Sequence, residues 1–243
     1  MKKYLIKYTL EFFVIVTGIS LSFWINEWDN NRMNSDRELY FLNGLKNDLE
    51  KQLYSFNNFN EFSNTTIDYG ASILEDYTNF ENLSKIDSLN FKLSNLMYSR
   101  TYPAINTTFN ELKSTGHFNL VKEKLLASKI IKYYQDSENY KNRLNKNIDI
   151  VYYNEIFPII KSSIIIDPNN FGYENKKINL LEKEKIVNTI LNNSKKEFDL
   201  VNAISLRIVV AKTNKGYIEI MRKEAEILLD LINNELIKIK PKS

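Results

Sequence analysis

Between Leu10 and Ile25 the chain reads LEFFVIVTGISLSFWI, an apolar run broken only by Glu11 and preceded by Lys2, Lys3 and Lys7 with no acid among them. Such a run has to leave water, either inside a core or inside a bilayer. A helix from Leu5 to Trp28 would be about 36 Å long at ~1.5 Å per residue, enough to cross a hydrocarbon layer of ~30 Å with slight tilt. Tyr4 and Tyr8 at one end and Trp24 and Trp28 at the other are rings suited to the headgroup layer. The lysines before the run, against Glu27, Asp29 and Arg32 after it, orient Met1 toward the cytoplasm and export the rest. The sequence therefore predicts a cytoplasmic stub and transmembrane anchor over 1–28 and an exported domain over 29–240.

Two rivals compete for the same run. A cleaved signal peptide fits the short apolar core and the small-x-small pattern Ser20-Leu21-Ser22. Against it, Phe23-Trp24-Ile25 would make an odd mature start. A helix lying flat on the surface would need cations along its whole length, and here they occur only at the beginning. Glu11 inside the run needs a proton or a partner, and Lys7, one turn earlier, supplies an i,i+4 contact. Glu11, Gly18, Ser22 and Asn26 are spaced by seven, four and four residues, which stacks them on one helix face. Gly18 and Ser22 form a small-xxx-small pair, so this face suits a membrane-helix contact with a second copy or with another membrane protein.

Charge narrows the remainder. The formal net charge of +3 comes from the first seven residues, after which basic and acidic residues balance at 30 each. With no basic stretch free of acids, nucleic acid is not an expected partner; membrane lipid is. The chain has no cysteine, which excludes disulfides, thiolate chemistry and Cys-ligated metal. Six glycines and four prolines are too few for a turn-rich sheet fold.

Past the anchor the apolar pattern is helical. Leu39, Leu42, Leu49, Leu53, Phe56, Ile67, Leu74 and Tyr77 predict a long helix over Asp36 to Tyr77, interrupted on its stripe by Lys46, Asn60, Ser63 and Gly70. Ser84 or Asp87 is positioned to cap a second helix running to Tyr98. After Pro103, Thr108 with Glu111 reads as a capping box opening a short helix that Gly116 closes. Asn119 is the expected cap of the next, which runs to Phe157, where Pro158 disfavours continuation. Ile159 to Lys177 is the least helical stretch, with Asp167-Pro168-Asn169-Asn170 and Phe171-Gly172-Tyr173 reading as turns. Helices are expected again over Ile178 to Asn193 and Phe198 to Ile239, the last one on a three-four rhythm broken by Lys215 and Arg222. The predicted fold class is all-α: an N-terminal transmembrane helix followed by an elongated antiparallel helical bundle.

Catalytic signatures are sparse. His117 is the single histidine, which leaves no His-pair zinc site. No GxSxG, HExxH or phosphate-cradling glycine loop occurs. Acid pairs such as Glu182 and Glu184, or Glu224 and Glu226, are two residues apart and point to different sides of a helix. No catalytic residue, cofactor or metal site is expected. The most distinctive exported segment is RTYPAINTTFNELKSTGHFN, Arg100 to Asn119. It reads as a capped bridge between long helices or as a partner or ligand loop with Arg100, Tyr102, Thr107, Glu111 and Ser114 as contacts.

Glu11 ahead of an apolar stretch with Gly18, Ile25-Asn26-Glu27-Trp28 at its far end, and Tyr40-Phe41-Leu42 with Leu45, Asp48 and Leu49 form a recognisable combination. Phe109 to Gly116, with Glu111-Leu112-Lys113-Ser114 inside it, and Ile131-Lys132-Tyr133-Tyr134 extend it. The chain resembles an uncharacterised family of small bacterial single-pass membrane proteins, a domain of unknown function. That resemblance implies a Gram-negative envelope protein at the inner membrane and no reaction. The function expected is a non-enzymatic, membrane-anchored scaffold or interaction module in the periplasm. The alternative is a small-molecule-binding sensor relaying through a membrane partner.

Overall fold

The structure, a computed structural model, describes residues 2–166 and 180–239. Among them every regular element is helical, so the protein is all-α. Helix α1 spans Lys2–Phe80 without a break, joining the apolar run to the helix predicted over Asp36 to Tyr77. No proline occurs before Pro103 to stop it. It ends where Glu81 turns left-handed, at φ 51°, and the Asn82 carboxamide accepts the Ser84 N–H at 2.8 Å. The helices after it are α2 (Leu89–Leu96), α3 (Thr107–Thr115), α4 (Lys124–Lys146), α5 (Phe157–Lys161), α6 (Leu180–Leu191) and α7 (Ser194–Ile239).

These residues group into two compact units. The first comprises Met1–Asp48, Asn106–Ile130 and Leu229–Ser243, the second Leu49–Ile105 and Ile131–Leu228. In the first, Leu42, Leu45, Leu112, Ile130 and Ile232 form the core; in the second, Phe56, Ile73, Leu93, Tyr152, Ile156, Leu200, Ile204 and Ile218 do.

The buried face of α1 follows a seven-residue repeat through Leu42, Leu45, Leu49, Gln52, Phe56, Phe59, Ser63, Thr66, Gly70 and Ile73. Ser63 and Gly70 thus belong to the stripe instead of interrupting it, while Leu53, Ile67 and Leu74 flank it half-buried. The reason at Gly70 is steric: a Cβ there would lie 2.7 Å from Ile208 Cγ1, so only glycine lets the Ile208 side chain close in. Ser63 and Thr66 are accommodated because each hydroxyl donates to its own helix, to Phe59 O at 2.9 Å and Phe62 O at 3.0 Å. On α7 the same repeat runs through Ile204, Arg207, Ala211, Asn214, Ile218, Met221, Ala225 and Leu228.

Several helix ends differ from the sequence expectation. Neither Ser84 nor Asp87 opens α2; its first residue follows Ser88, which is left-handed at φ 54° and makes no side-chain cap. Helix α3 starts after Asn106 without a local cap, because the Thr108 N–H is taken by Asp48 on α1 at 2.8 Å. Asn119 lies inside a 3-10 turn, His117–Leu120, and Glu123 accepts the Leu125 N–H at 3.0 Å at the start of α4. Gly116 closes α3 at φ 69°, as its position predicts. Pro158 does not end the fourth helix. The backbone widens into a π stretch, Asn147–Ile156, and continues as α5 with Pro158 in its first turn. A proline ring clashes with the carbonyl four residues back in an α-helix, and the wider π turn relieves that crowding. The turn-like residues 167–173 and the Lys240–Lys242 tail lie outside the described residues.

Candidate functional site

The anchor face is built by spacing alone. At ~100° per residue, Glu11, Gly18, Ser22 and Asn26 fall within about 80° of one another on α1. A Cβ placed on Gly18 would meet nothing within 4 Å, so at this position the face touches no other part of the protein among the described residues. Ser22 Oγ donates to Gly18 O at 2.9 Å, satisfying the hydroxyl within its own helix. Lys7 Nζ lies 3.8 Å from Glu11 Oε1, the i,i+4 pair the spacing predicts, with both groups largely exposed. Around them the large apolar residues from Leu10 to Ile25 are open, from 41% at Val16 to 71% at Phe23. This is the one stretch among the described residues long and apolar enough to cross a membrane, and none of it is buried in the protein.

The segment from Arg100 to Asn119 divides between the two units, with Arg100 and Tyr102 in the second and Thr107, Glu111 and Ser114 in the first. In the second unit, Tyr102 turns inward. It is 5% exposed, its hydroxyl lies 2.9 Å from Ser137 Oγ, and its ring packs edge-on against Phe56. Burial raises its pKa well above the ordinary tyrosine value, with the Ser137 hydrogen bond acting in the opposite sense. The Arg100 guanidinium donates to Asn58 O at 3.2 Å and sits 4.9 Å from the Phe62 ring centre. Gln52 on α1 reaches the backbone just after Tyr102. Its carboxamide donates to Pro103 O and accepts the Ile105 N–H at 2.7 Å. In the first unit, Thr107, Glu111 and Ser114 are exposed on α3, and Ser114 Oγ donates to Glu111 O at 3.0 Å.

Two polar docking devices on α1 were not apparent from its sequence. Gly44 and Asp48, one turn apart, receive the start of α3: a Cβ on Gly44 would lie 2.8 Å from Thr108, and Asp48 accepts the Thr108 N–H. Glu38, fully buried, accepts the Lys122 N–H at 2.7 Å through Oε1, with Lys122 Nζ 3.8 Å from Oε2. A carboxylate receiving a backbone N–H makes a strong, charge-assisted bond, which explains acids on a buried face. The sequence signal was present as a phase: Asp48 and Gln52 lie beside or within the seven-residue repeat of α1, where solvated side chains are not expected.

A second buried polar cluster centres on Arg207, 2% exposed. Its Nε donates to Leu96 O at 3.2 Å and its Nη2 to Tyr98 O at 2.6 Å, and the Tyr152 ring lies 4.7 Å from Cζ. The Tyr152 hydroxyl donates to Met97 O. These carbonyls follow or end α2, where backbone acceptors lack helical donors and the dipole favours a cation. Burial lowers the Arg207 pKa to about 10, offset in part by Tyr152, so the side chain is charged at neutral pH. Its role is to close the end of α2, and its place in the repeat of α7 was the signal for it.

The second unit also holds a cavity of about 200 Å³ lined by Ser84, Ser88, Leu93, Ser163, Asn188 and Leu191, among others. His117, the sole histidine, packs its ring 5.9 Å from that of Phe41, with Nδ1 buried and unbonded. Among the described residues no three His, Asp or Glu side chains converge in a metal-binding group. No family model, curated protein or solved structure matches the chain.

Proposed function

We propose that this protein is a membrane-tethered helical module, non-enzymatic, that scaffolds or relays contacts on the outer side of a bacterial inner membrane. The observation that carries this reading is the contrast in burial along one helix: an apolar run left uncovered by the described residues, continuous with a stretch that packs a core. Bilayer is the environment that would cover such a run. The lysine bias at the start supports a cytoplasmic N-terminus, and the resemblance to small single-pass envelope proteins is in keeping with that placement. The unpartnered face at Glu11, Gly18, Ser22 and Asn26 is the proposed helix contact, with a second copy or another membrane protein. Arg100, Thr107, Glu111 and Ser114 are the exposed residues of the proposed partner or ligand segment, and Tyr102 is buried. Cysteines introduced as Gly18→Cys and Ser22→Cys should form discrete cross-linked species in native membranes. Monomer alone at both positions would overturn the helix contact.

The cavity beside Leu93 favours a second reading, a small-molecule sensor. Its volume is below the roughly 300–1,000 Å³ of drug-sized pockets, so the ligand class is restricted to a few heavy atoms. A thermal-shift screen with small metabolites should raise the unfolding temperature if this reading holds, and a flat screen would set it aside.

A further inference from the structure

The cavity of the second unit is walled by three stretches far apart in sequence: residues 84–93 around the start of α2, the backbone turn after α5, and one face of α6. Its inner wall is apolar, with Leu89 and Leu93 of α2 and Leu191 of α6 all buried. Three of its polar lining residues are already satisfied. The Asn90 carboxamide donates to Ile165 O at 3.1 Å and accepts the Ile165 N–H at 2.7 Å, Ser163 Oγ donates to Ile159 O at 2.9 Å, and Ser84 Oγ donates to Asn82 Oδ1 at 2.6 Å. The two exposed ones, Ser88 and Asn188, are not. Ser88 makes no side-chain cap to α2, and neither its hydroxyl nor the Asn188 carboxamide bonds to another described residue. No lysine, arginine, histidine, aspartate or glutamate lines the space.

Size and polarity define what fits. An apolar cavity of about 150 Å³ holds a benzene-sized molecule. The volume of about 200 Å³ here therefore suits roughly six or seven heavy atoms. An apolar body against Leu89, Leu93 and Leu191 gains by leaving water. One hydroxyl or amide at its outer end can exchange hydrogen bonds with Ser88 and Asn188, whose side chains both give and accept. An ion gains nothing comparable, because it would shed hydration against a wall with no opposite charge.

We propose that this cavity takes a small uncharged amphiphile, its apolar end against Leu93 and Leu191 and its single hydrogen-bonding group held at the mouth by Ser88 and Asn188. This names the ligand class for the sensor reading and rests on that reading.

Full-length protein in lipid nanodiscs is titrated with pentan-1-ol, butyrate and pentylammonium, probes of equal heavy-atom count and different charge, while the unfolding temperature is followed. Pentan-1-ol should raise that temperature saturably and the two ions should not. Val187→Trp, which fills the cavity from a half-buried position on α6, should abolish the response. Asn188→Leu keeps the volume at an exposed position and removes the polar partner, so it tests the site even where Val187→Trp fails to fold; it should weaken pentan-1-ol binding roughly fivefold. An equal response to either ion would overturn the uncharged class and leave the sensor reading standing. Unchanged affinity in Asn188→Leu would overturn the hydrogen-bonded mouth. A response that persists in folded Val187→Trp would place the alcohol in the lipid and overturn the site. No response to any of the three probes would remove the sensor reading and this proposal together.

Discussion

Within α1, residues 10–25 and residues 38–73 solve opposite problems on the same helix. In the first stretch Phe, Val, Ile and Trp side chains stand open and the polar Ser22 bonds inward to its own backbone. In the second, Glu38, Asp48, Gln52, Ser63 and Thr66 are buried among leucines and phenylalanines. A chain in water buries its apolar groups and solvates its polar ones; a segment surrounded by lipid has the reverse incentive. The difference teaches that apolarity alone does not locate the core here. The core of the second stretch is specified by polar groups that reach particular backbone atoms: Asp48 to Thr108, Gln52 to Pro103 and Ile105, Glu38 to Lys122.

The strongest way to break the contrast is to charge the first stretch. Val16→Arg combined with Ile19→Arg should weaken insertion by roughly 5–7 kcal/mol on translocon scales. Because both side chains are exposed, circular dichroism of the purified variant should keep its helical signal while the membrane-bound fraction collapses. Retention of that fraction would show that the open residues are not in lipid.

Arg207 probes the other stretch's logic at its partner helix. Arg207→Ala should lower unfolding stability by roughly 3–5 kcal/mol, because it leaves the Leu96 and Tyr98 carbonyls unbonded and opens a cavity. Arg207→Met fills the space with an unbranched apolar chain and should lose roughly 1–2 kcal/mol. Equal losses in denaturant titrations would mean that the charge, and not the volume, matters.

Asp48→Ala should lower stability by roughly 1.5–3 kcal/mol, since the Thr108 N–H at the start of α3 loses a charged acceptor. Asp48→Asn retains an acceptor oxygen and should lose less, as measured by thermal unfolding.

Alkaline titration tests the buried tyrosines. Tyr102, Tyr133 and Tyr152 all have raised pKa values, each chiefly by burial. The unfolded chain gives up these protons near pH 10 and the folded chain holds them higher. Their contribution is therefore complete below about pH 10 and is lost as pH rises through the folded values, by roughly 1.4 kcal/mol per pH unit for each group. Arg207, with a lowered pKa, acts in the opposite direction above about pH 10. Three groups against one should give a net fall, visible as a declining denaturant midpoint from pH 10 upward, and Tyr133→Phe should shallow it.

Much of the helical architecture was legible from periodicity and from the scarcity of proline and glycine. The all-α class, the long first and last helices and the stop at Gly116 follow from local chemistry. The core phase of α1 was less legible, because a stripe drawn through every leucine includes Leu53 and Leu74 and passes over Gln52, Ser63 and Gly70. Two of those positions take their identity from partners distant in sequence, Pro103 and Ile105 for Gln52 and Ile208 for Gly70, while Ser63 fits because its hydroxyl bonds to Phe59 O of its own helix. The same limit explains the helix starts. Thr108 and Glu111 read locally as a capping box, yet the donor at Thr108 is satisfied by Asp48, 60 residues earlier. Within the Arg100 to Asn119 segment, composition marked something unusual but could not separate Tyr102, which anchors the segment, from Thr107, Glu111 and Ser114, which face solvent.

Alkaline carbonate washing of membranes containing the full-length chain tests the account most directly. The account expects the intact polypeptide to stay with the lipid pellet after the wash. Release of the intact chain into the supernatant would contradict it.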